Sequence, residues 1–257
     1  MVPVFVISLI RSTQRRSFIQ NSLDALGIPF RFFDAIDGTA MLPGEIASID
    51  PQRHGGRYGR LLNPGEIGCA ASFRAVLQNI ENENSEFVCV TEDEAKFSAE
   101  SRQFLEEKLL QELPKFDVLR LHNDHKVRTK GFAYAVALLN GYSIFASVKP
   151  GLYCTAQIFT RAGASKILAG MIPLRAPIDN MIYRDSRIAG LRILEVRPAV
   201  VNLHRMESTI GKRYLQKRTI KTTLQRKTFS LTRNIRSLIN FIRAWGFLSL
   251  FHLRYFR

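Results

Sequence analysis

An α/β fold built on an open sheet is what this sequence predicts, and three observations predict it. Short β-branched apolar runs alternate with segments of helical period; glycine, proline and Asp-Gly pairs mark the changeovers; and the run Phe87-Val88-Cys89-Val90-Thr91 ends in three acids, Glu92-Asp93-Glu94. A strand buried on both faces of a parallel sheet reads as an unbroken apolar run, and open α/β sheets bind ligands beyond the strands' carboxyl ends. Three carboxylates there suit a hard divalent cation that shares its coordination with substrate phosphates. A solvated acidic turn accounts for the same residues equally well.

The elements follow in order. Val4 to Leu9 is a strand, and Ser12 is placed to cap a helix whose apolar positions Ile19, Leu23 and Leu26 precede the stop at Gly27. Pro29 to Phe33 is a second strand, leading to the turn signal Asp37-Gly38. Residues 39–63, with scattered proline and glycine, read as an irregular loop. Asn63, Pro64 and Glu66 then mark a helix start that runs to about Ile80, and its small residues Gly65, Gly68, Ala70 and Ala71 permit close approach to the sheet or to a ligand. After the acid-bearing strand, Glu100 to Leu113 reads as one surface helix and Phe116 to Leu121 as a strand. His122 and His125 beyond it are either metal ligands or part of a polar loop. Tyr153 to Thr160 is a strand, Arg161 to Met171 a helix, Pro177-Ile178-Asp179-Asn180 the opening of another helix, and Ile193 to Val201 a late strand. Asp179 suits the positive end of its helix and is also placed for chemistry.

With 257 residues, 46% hydrophobic and 23% charged, the chain has material for one large α/β domain, or a domain plus an appendage, and no bias towards disorder. Three separated cysteines, Cys69, Cys89 and Cys154, without a CxxC pair, point to a reducing compartment. The apolar N-terminus lacks a basic lead-in and a small-residue cleavage site, so it reads as a strand and not as an export signal. Residues 1–211 hold 25 basic and 22 acidic residues, whereas 12 basic residues and no acid lie from Lys212 onward. The formal charge of +15 is therefore mostly that of the C-terminus, which sets a boundary near Gly211 between a body at 1–211 and a basic segment at 212–257.

Five segments, in order, carry a resemblance: Val4-Phe5-Val6-Ile7-Ser8-Leu9-Ile10-Arg11-Ser12 with Arg15-Arg16; Phe33-Asp34-Ala35-Ile36-Asp37-Gly38; Leu62-Asn63-Pro64-Gly65-Glu66-Ile67-Gly68-Cys69-Ala70-Ala71-Ser72; Val90-Thr91-Glu92-Asp93-Glu94; and Pro177-Ile178-Asp179. Together they resemble the bacterial lipopolysaccharide or lipooligosaccharide glycosyltransferases of family 25, which are similar also to procollagen galactosyltransferases. Two positions depart from that family: Glu94 stands where its acidic motif usually ends in Asp, and Phe73 stands where a His usually follows the serine.

The resemblance implies a GT-A-type, Rossmann-like nucleotide-sugar-binding domain and an inverting hexosyl transfer, most often of galactose from UDP-galactose, to a lipooligosaccharide or lipopolysaccharide acceptor. UDP-glucose is the alternative donor. It implies Mn²⁺ or Mg²⁺ held by Glu92, Asp93 and Glu94, and a donor site made of Ser8, Leu9, Arg11, Arg15, Arg16, Ala35, Asp37, Gly38, Gly68 and Ser72. His204, near the end of the body, is a candidate further ligand or a residue that packs locally beside Arg205. Asp179 becomes the general base. The residue types suit this chemistry: guanidinium groups after a first strand meet phosphate oxygens in a forked geometry, and an acid beyond a second strand can accept from ribose hydroxyls. Arg11, Arg15 and Arg16 also suit a solvated helix face.

From Arg233 to Gly246, Ile235, Leu238, Ile239, Ile242 and Trp245 share one helical face opposite Arg233, Arg236, Asn240 and Arg243. Such a helix suits an anionic membrane surface, or packs its apolar face on the body. A lipid-linked acceptor would place the protein in the cytoplasm, peripheral on the inner face of a bacterial inner membrane. The basic segment also admits a nucleic-acid-binding reading. The nearly neutral body and the lack of a recognised motif or stacking platform speak against nucleic acid as a partner.

Overall fold

The computed structural model describes all residues except 51–61, 123–130, 185–187, 189, 205, 207–209, 211–233 and 257. Its strands are β1 Val4–Ser8, β2 Arg31–Asp34, β3 Phe87–Glu92, β4 Ala95–Phe97, β5 Val118–Arg120, β6 Gly131–Leu139, β7 Tyr142–Ser147, β8 Ala156–Thr160, β9 Ile193–Arg197, β10 Val201–Leu203 and β11 Arg254–Phe256. The helices are α1 Thr13–Ala25, α2 Pro43–Ile49, α3 Pro64–Ile80, α4 Glu107–Glu112, α5 Arg161–Met171, α6 Ile178–Arg184 and α7 over 234–245.

Among the described residues, nine strands form one mixed sheet in the order β11-β6-β7-β9-β5-β8-β3-β1-β2, and β4 pairs separately with β10. The β2, β1 and β3 strands run parallel, as do β5 and β9. The acid-bearing strand was expected in a parallel sheet; it is parallel to β1 but antiparallel to β8 on its other side, with Cys89 opposite Ile158. A strand buried on both faces has the same apolar character whichever way its neighbour runs, so this direction is invisible in the sequence.

Alternation along the central strands feeds two cores. Phe5, Ile7, Val88 and Val90 face one layer with Phe73, Leu77, Ile80, Ile167 and Met181, while Val4, Val6, Phe87 and Cys89 face the other with Ile19, Leu23, Phe104, Leu110 and Phe241. The sheet is thus covered on both faces by helical residues, the architecture that alternating strands and helices imply.

Several starts and stops are those the sequence predicts. Asn63 accepts from the Glu66 amide at 2.8 Å while Glu66 accepts from the Asn63 amide at 3.0 Å, a complete capping box at the start of α3. Thr160 likewise caps α5 by accepting from the Gly163 amide at 2.9 Å. Gly27, at φ +61°, ends the turn after α1 in the left-handed region that favours glycine.

Other elements differ. Ser12 precedes α1 without a side-chain capping bond; its backbone amide bonds to the Leu9 carbonyl instead. Within the expected loop 39–63, Pro43–Ile49 forms α2, opened by Pro43 and by Glu45 accepting from the Leu42 amide at 2.7 Å; residues 51–61 lie outside the described residues. The single helix expected from Glu100 to Leu113 is a 3₁₀ turn over Ala99–Leu105 followed by α4, because Glu106 between them takes an extended conformation. The late strand is two, β9 and β10, parted by Pro198, which cannot donate to a ladder. The hairpin β6–β7 was not foreseen. Its turn is Asn140-Gly141, with φ +48° and +82°, the positive pair that a two-residue type I′ hairpin requires.

Candidate active site

The parallel registers determine what meets at the sheet's carboxyl end. Ser8 pairs with Asp34 and Ile7 with Glu92, so the chain leaves β1 at Leu9, β2 at Ala35 and β3 at Asp93 side by side. A cleft of about 770 Å³, counting the solvent at its mouth, opens there. Its walls include Ser8, Leu9, Arg11, Arg15, Ala35, Asp37, Gly38 and Ser72 together with Glu92, Asp93 and Glu94. Residues predicted from four separate segments are thereby brought together.

Arg15, on the first turn of α1, reaches Asp93 through Nε at 2.7 Å and Glu94 through Nη2 at 3.2 Å. Asp93 is buried, and its second oxygen accepts from the Ser8 hydroxyl at 2.6 Å. Burial opposes the Arg15 charge, but the two carboxylates outweigh it and hold the guanidinium above its ordinary value. Among the described residues no cation contacts Glu92 directly, and Arg15 offsets its neighbours only in part. Burial, and then the charges of Glu94, Asp93 and Asp179, push its carboxyl up to about 8. Burial also raises Glu94, against the opposing pull of Arg15.

At the second strand's end, Arg11 pairs with Asp37, which also accepts from the Thr39 amide at 3.1 Å and the Thr39 hydroxyl at 2.7 Å. The small residues of α3 serve this loop. A Cβ on Gly68 would lie 2.4 Å from the Gly38 nitrogen, and one on Gly38 would lie 1.7 Å from the Pro64 carbonyl oxygen. Ser72 accepts from the Ile36 amide at 2.8 Å and donates to the Gly68 carbonyl at 2.7 Å. Gly68 therefore acts on the cleft by letting the loop 36–38 settle against the helix. Phe73, in the place of the resembled family's His, is fully buried in the core.

Four predicted residues stand outside the cleft wall: Gly68, which supports the loop from behind, and Arg16, Asp179 and His204. Arg16 ties two strand ends together, donating to the Ser8 carbonyl at 3.0 Å, pairing with Asp34 and lying over the Phe32 ring. Asp179 sits on the first turn of α6, where one oxygen accepts from the Asn180 amide at 2.7 Å and the other from the Tyr153 amide at 3.4 Å. It is close enough for its charge to raise Glu92, Cys69 and Cys154. His204 donates its backbone amide to the Glu94 carbonyl at 2.7 Å, while its ring stacks on Phe18 with centroids 4.1 Å apart. His122, weighed as a metal ligand, is buried with Nδ1 at 2.9 Å from the Val201 carbonyl; His125 lies outside the described residues.

Sequence reasoning did not assign Cys69, Thr39 or Ile210 to the cleft. The Asp37-Gly38-Thr39 triplet carried a signal for Thr39, as a hydroxyl that closes a turn on the aspartate. Burial, then Glu92 and Asp179, lifts the Cys69 thiol well above its ordinary value, which keeps it protonated and unsuited to act as a thiolate nucleophile.

The donor chemistry suits a hard divalent cation. Burial, and after it the charges of Glu94, Asp93 and Asp179, favours a protonated Glu92 near neutrality, and a cation would supply counter-charge to all of these carboxylates. Among the described residues no three acidic, imidazole or thiol groups form a ready cation cage. Arg15 bridges Asp93 and Glu94.

Fold and site together define an α/β protein with an acidic, arginine-bearing cleft at the carboxyl ends of its parallel strands. A profile described as Glycosyltransferase family 25 (LPS biosynthesis protein) matches residues 1–182, and the chain belongs to that family. It is 25% identical over 243 residues to the lipooligosaccharide biosynthesis protein lic2B of Haemophilus influenzae, covering 86% of this chain and 88% of that protein. It is 30% identical over 102 residues to the lacto-N-neotetraose biosynthesis glycosyltransferase LgtE of Neisseria gonorrhoeae, 40% of this chain and 35% of that one. It is 29% identical over 193 residues to the human inactive glycosyltransferase 25 family member 3, 70% of this chain and 31% of that protein. The chain spans about a third of the length of this last relative and of its bovine and rat counterparts.

Proposed function

We propose that the chain is an inverting glycosyltransferase of GT-A type that moves a hexose, galactose from UDP-galactose, onto a lipooligosaccharide or lipopolysaccharide acceptor on the cytoplasmic side of a bacterial membrane. One observation carries the reading: the carboxyl ends of β1, β2 and β3 gather the acids, Arg11, Arg15 and Asp37 into one cleft. The kinship with lic2B over most of both chains supports the saccharide class of the acceptor.

In this mechanism Arg15 and Arg11 face the donor diphosphate, and Asp37 with Thr39 orients the ribose side of the nucleotide. The acceptor hydroxyl oxygen bonds to the anomeric carbon from the face opposite the diphosphate, whose oxygen leaves with the bonding electrons. The hydroxyl proton passes to Asp179, an assistance worth about 10² to 10⁴ in rate. Glu92, Asp93 and Glu94 would hold Mn²⁺ or Mg²⁺, with His204 beside them, and the ion would supply positive charge to the leaving UDP.

The test is transfer from UDP-galactose to a lipooligosaccharide-derived acceptor with Mn²⁺ present, for wild type and Asp179→Asn. The variant keeps the shape of the side chain and loses the base, so kcat should fall by about 10² or more at an unchanged donor KM. Wild-type turnover in the variant removes Asp179 from the mechanism. UDP-glucose outperforming UDP-galactose changes the donor assignment. A second reading, nucleotide-sugar binding without turnover, is favoured by the relatives named inactive and by Phe73 in the core. It predicts saturable UDP binding with no UDP release on any acceptor.

A further inference from the structure

The C-terminal elements have two sides, of which the fold uses one. On α7, Ser237, Phe241 and Ala244 are buried against the body, and Trp245 packs beside them; the Tyr134 ring meets Phe241 and Trp245 edge-on at 6.0 and 6.2 Å. The opposite stripe, Ile235, Leu238 and Ile239, is left 53%, 39% and 41% exposed. Gly246, at φ +83°, ends the helix, and the 3₁₀ turn Phe247–His252 that follows presents Phe247, Leu248 and Phe251 at 63%, 74% and 76% exposure. The rings of Phe247 and Phe251 touch edge to face, 6.2 Å apart. Single exposed apolar residues are ordinary on a protein surface, but six large ones within 17 consecutive residues are not.

We propose that α7 and the adjoining 3₁₀ turn form a docking surface for an anionic phospholipid leaflet. Phe247, Leu248 and Phe251 enter the boundary between headgroups and acyl chains, with the outer stripe of α7 beside them. The charge of the segment selects this occupant: residues 212–257 hold 12 basic residues and no acid, Arg236 and Arg243 stand on α7 with part of the apolar set, and Arg254 opens β11 just after the 3₁₀ turn. A second copy would bring two such cationic segments face to face, which charge repulsion opposes. A nucleic acid would meet the charge but leave the aliphatic and aromatic side chains in water. Among the described residues no helix is long and apolar enough to cross a membrane, so contact through these elements would lie along the surface. Docking through these elements is independent of which sugar the body transfers.

Co-sedimentation of the full chain with phosphatidylcholine vesicles, with and without phosphatidylglycerol, at low and high salt, tests it. Binding should require phosphatidylglycerol, weaken with salt, and fall at least about tenfold in Phe247→Ser/Leu248→Ser/Phe251→Ser, with a separate loss in Ile235→Ser/Ile239→Ser. Both variants alter exposed side chains, and circular dichroism checks that each remains folded. Trp245, the only tryptophan in the sequence, gives an independent readout, since brominated lipid should quench it in wild type more than in the triple variant. Equal vesicle binding by wild type and the triple variant overturns the proposal. So does indifference of the wild type to anionic vesicles at low salt; a dimer that the triple variant loses, or salt-sensitive RNA binding, would then name the occupant instead.

Discussion

Arg120 donates to Glu195 Oε1 at 2.6 Å in the middle of the sheet, and the two side chains are 1% and 0% exposed. The same guanidinium donates to the Leu152 carbonyl at 2.6 Å, reaches the Tyr153 carbonyl at 3.2 Å and lies over the Tyr183 ring at 4.5 Å. Glu195 also accepts from the Gly151 amide at 3.1 Å and pairs with Arg197 at 3.1 Å. Burial opposes ionisation of Glu195, but Arg120 and Arg197 outweigh it and hold the carboxyl below its ordinary range. The pair thus fixes the loop 150–153, whose Tyr153 amide meets Asp179, and fixes Tyr183 one turn along α6 from Asp179.

Replacing Arg120 by Met keeps much of its volume and leaves a buried carboxylate short of its main partner. The variant should lose about 3 to 5 kcal/mol of unfolding free energy in urea, and Arg120→Met/Glu195→Gln should recover part of it. A double variant as unstable as the sum of the singles would show that the two residues act independently.

The crossing of Gly38 and Gly68 leaves no room for one methyl group on either residue. Gly68→Ala should cost about 1 to 3 kcal/mol by overpacking and displace the loop that carries Asp37, raising the Kd for UDP. Ala47→Gly, on the exposed short helix α2, serves as a control for helix propensity and should leave UDP binding unchanged. An unaltered Kd in Gly68→Ala would mean that the loop 36–38 does not touch the nucleotide.

Glu92 gives the fold a pH dependence of unusual sign for a carboxylate. Its folded value of about 8 lies above the ordinary value of 4.5, so between these two the native state holds a proton that the unfolded chain releases. Its contribution to stability is therefore full below about pH 4.5 and lost as pH rises through 8. Metal-free protein should lose up to about 5 kcal/mol across that window from this group, and Glu92→Gln should flatten the slope. Mn²⁺ should stabilise wild type most at the upper end, where the carboxylate is free to bind. Parallel stability–pH curves for wild type and variant would remove Glu92 as the cause.

Much of the site could be read from the sequence because local chemistry specifies it. The Asn63-Pro64-Gly65-Glu66 cap fixes the start of α3, and the break from Thr91 into Glu92 marks a strand's end whatever its neighbours do. Tertiary partners were harder. Arg15 reads as a helix-surface residue until Asp93, 78 positions away, is brought alongside by the pairing of β1 with β3. Residues 131–139 are rich in alanine, which has weak strand preference, so the hairpin's signal lay in Asn140-Gly141 alone. The amphipathic C-terminal helix was legible from its period, but of the apolar face it gave, Ile235, Leu238 and Ile239 stay exposed while Trp245 packs; Phe241 and Ala244, outside that face, are the buried residues beside it.

Arg15 separates two roles for the acidic triplet. Its guanidinium lies within 2.5 Å of Asp93 and 3.2 Å of Glu94, so it supplies the positive charge that a divalent ion would otherwise give these carboxylates. Removing it should act in opposite directions on the two ligands. In Arg15→Gln the carboxylates lose their counter-charge, and the Kd for Mn²⁺ measured by calorimetry in the absence of nucleotide should fall by about tenfold. The Kd for UDP at saturating Mn²⁺ should rise by about tenfold, because a forked contact to the diphosphate is gone. Arg15→Lys keeps the charge without the fork, so it should restore Mn²⁺ affinity to near wild type while leaving UDP weak. If Arg15→Gln weakens both ligands, Arg15 holds Asp93 and Glu94 in place for the ion and does not compete with it. If neither Kd changes, the triplet is a structural acidic turn and the cation site lies elsewhere.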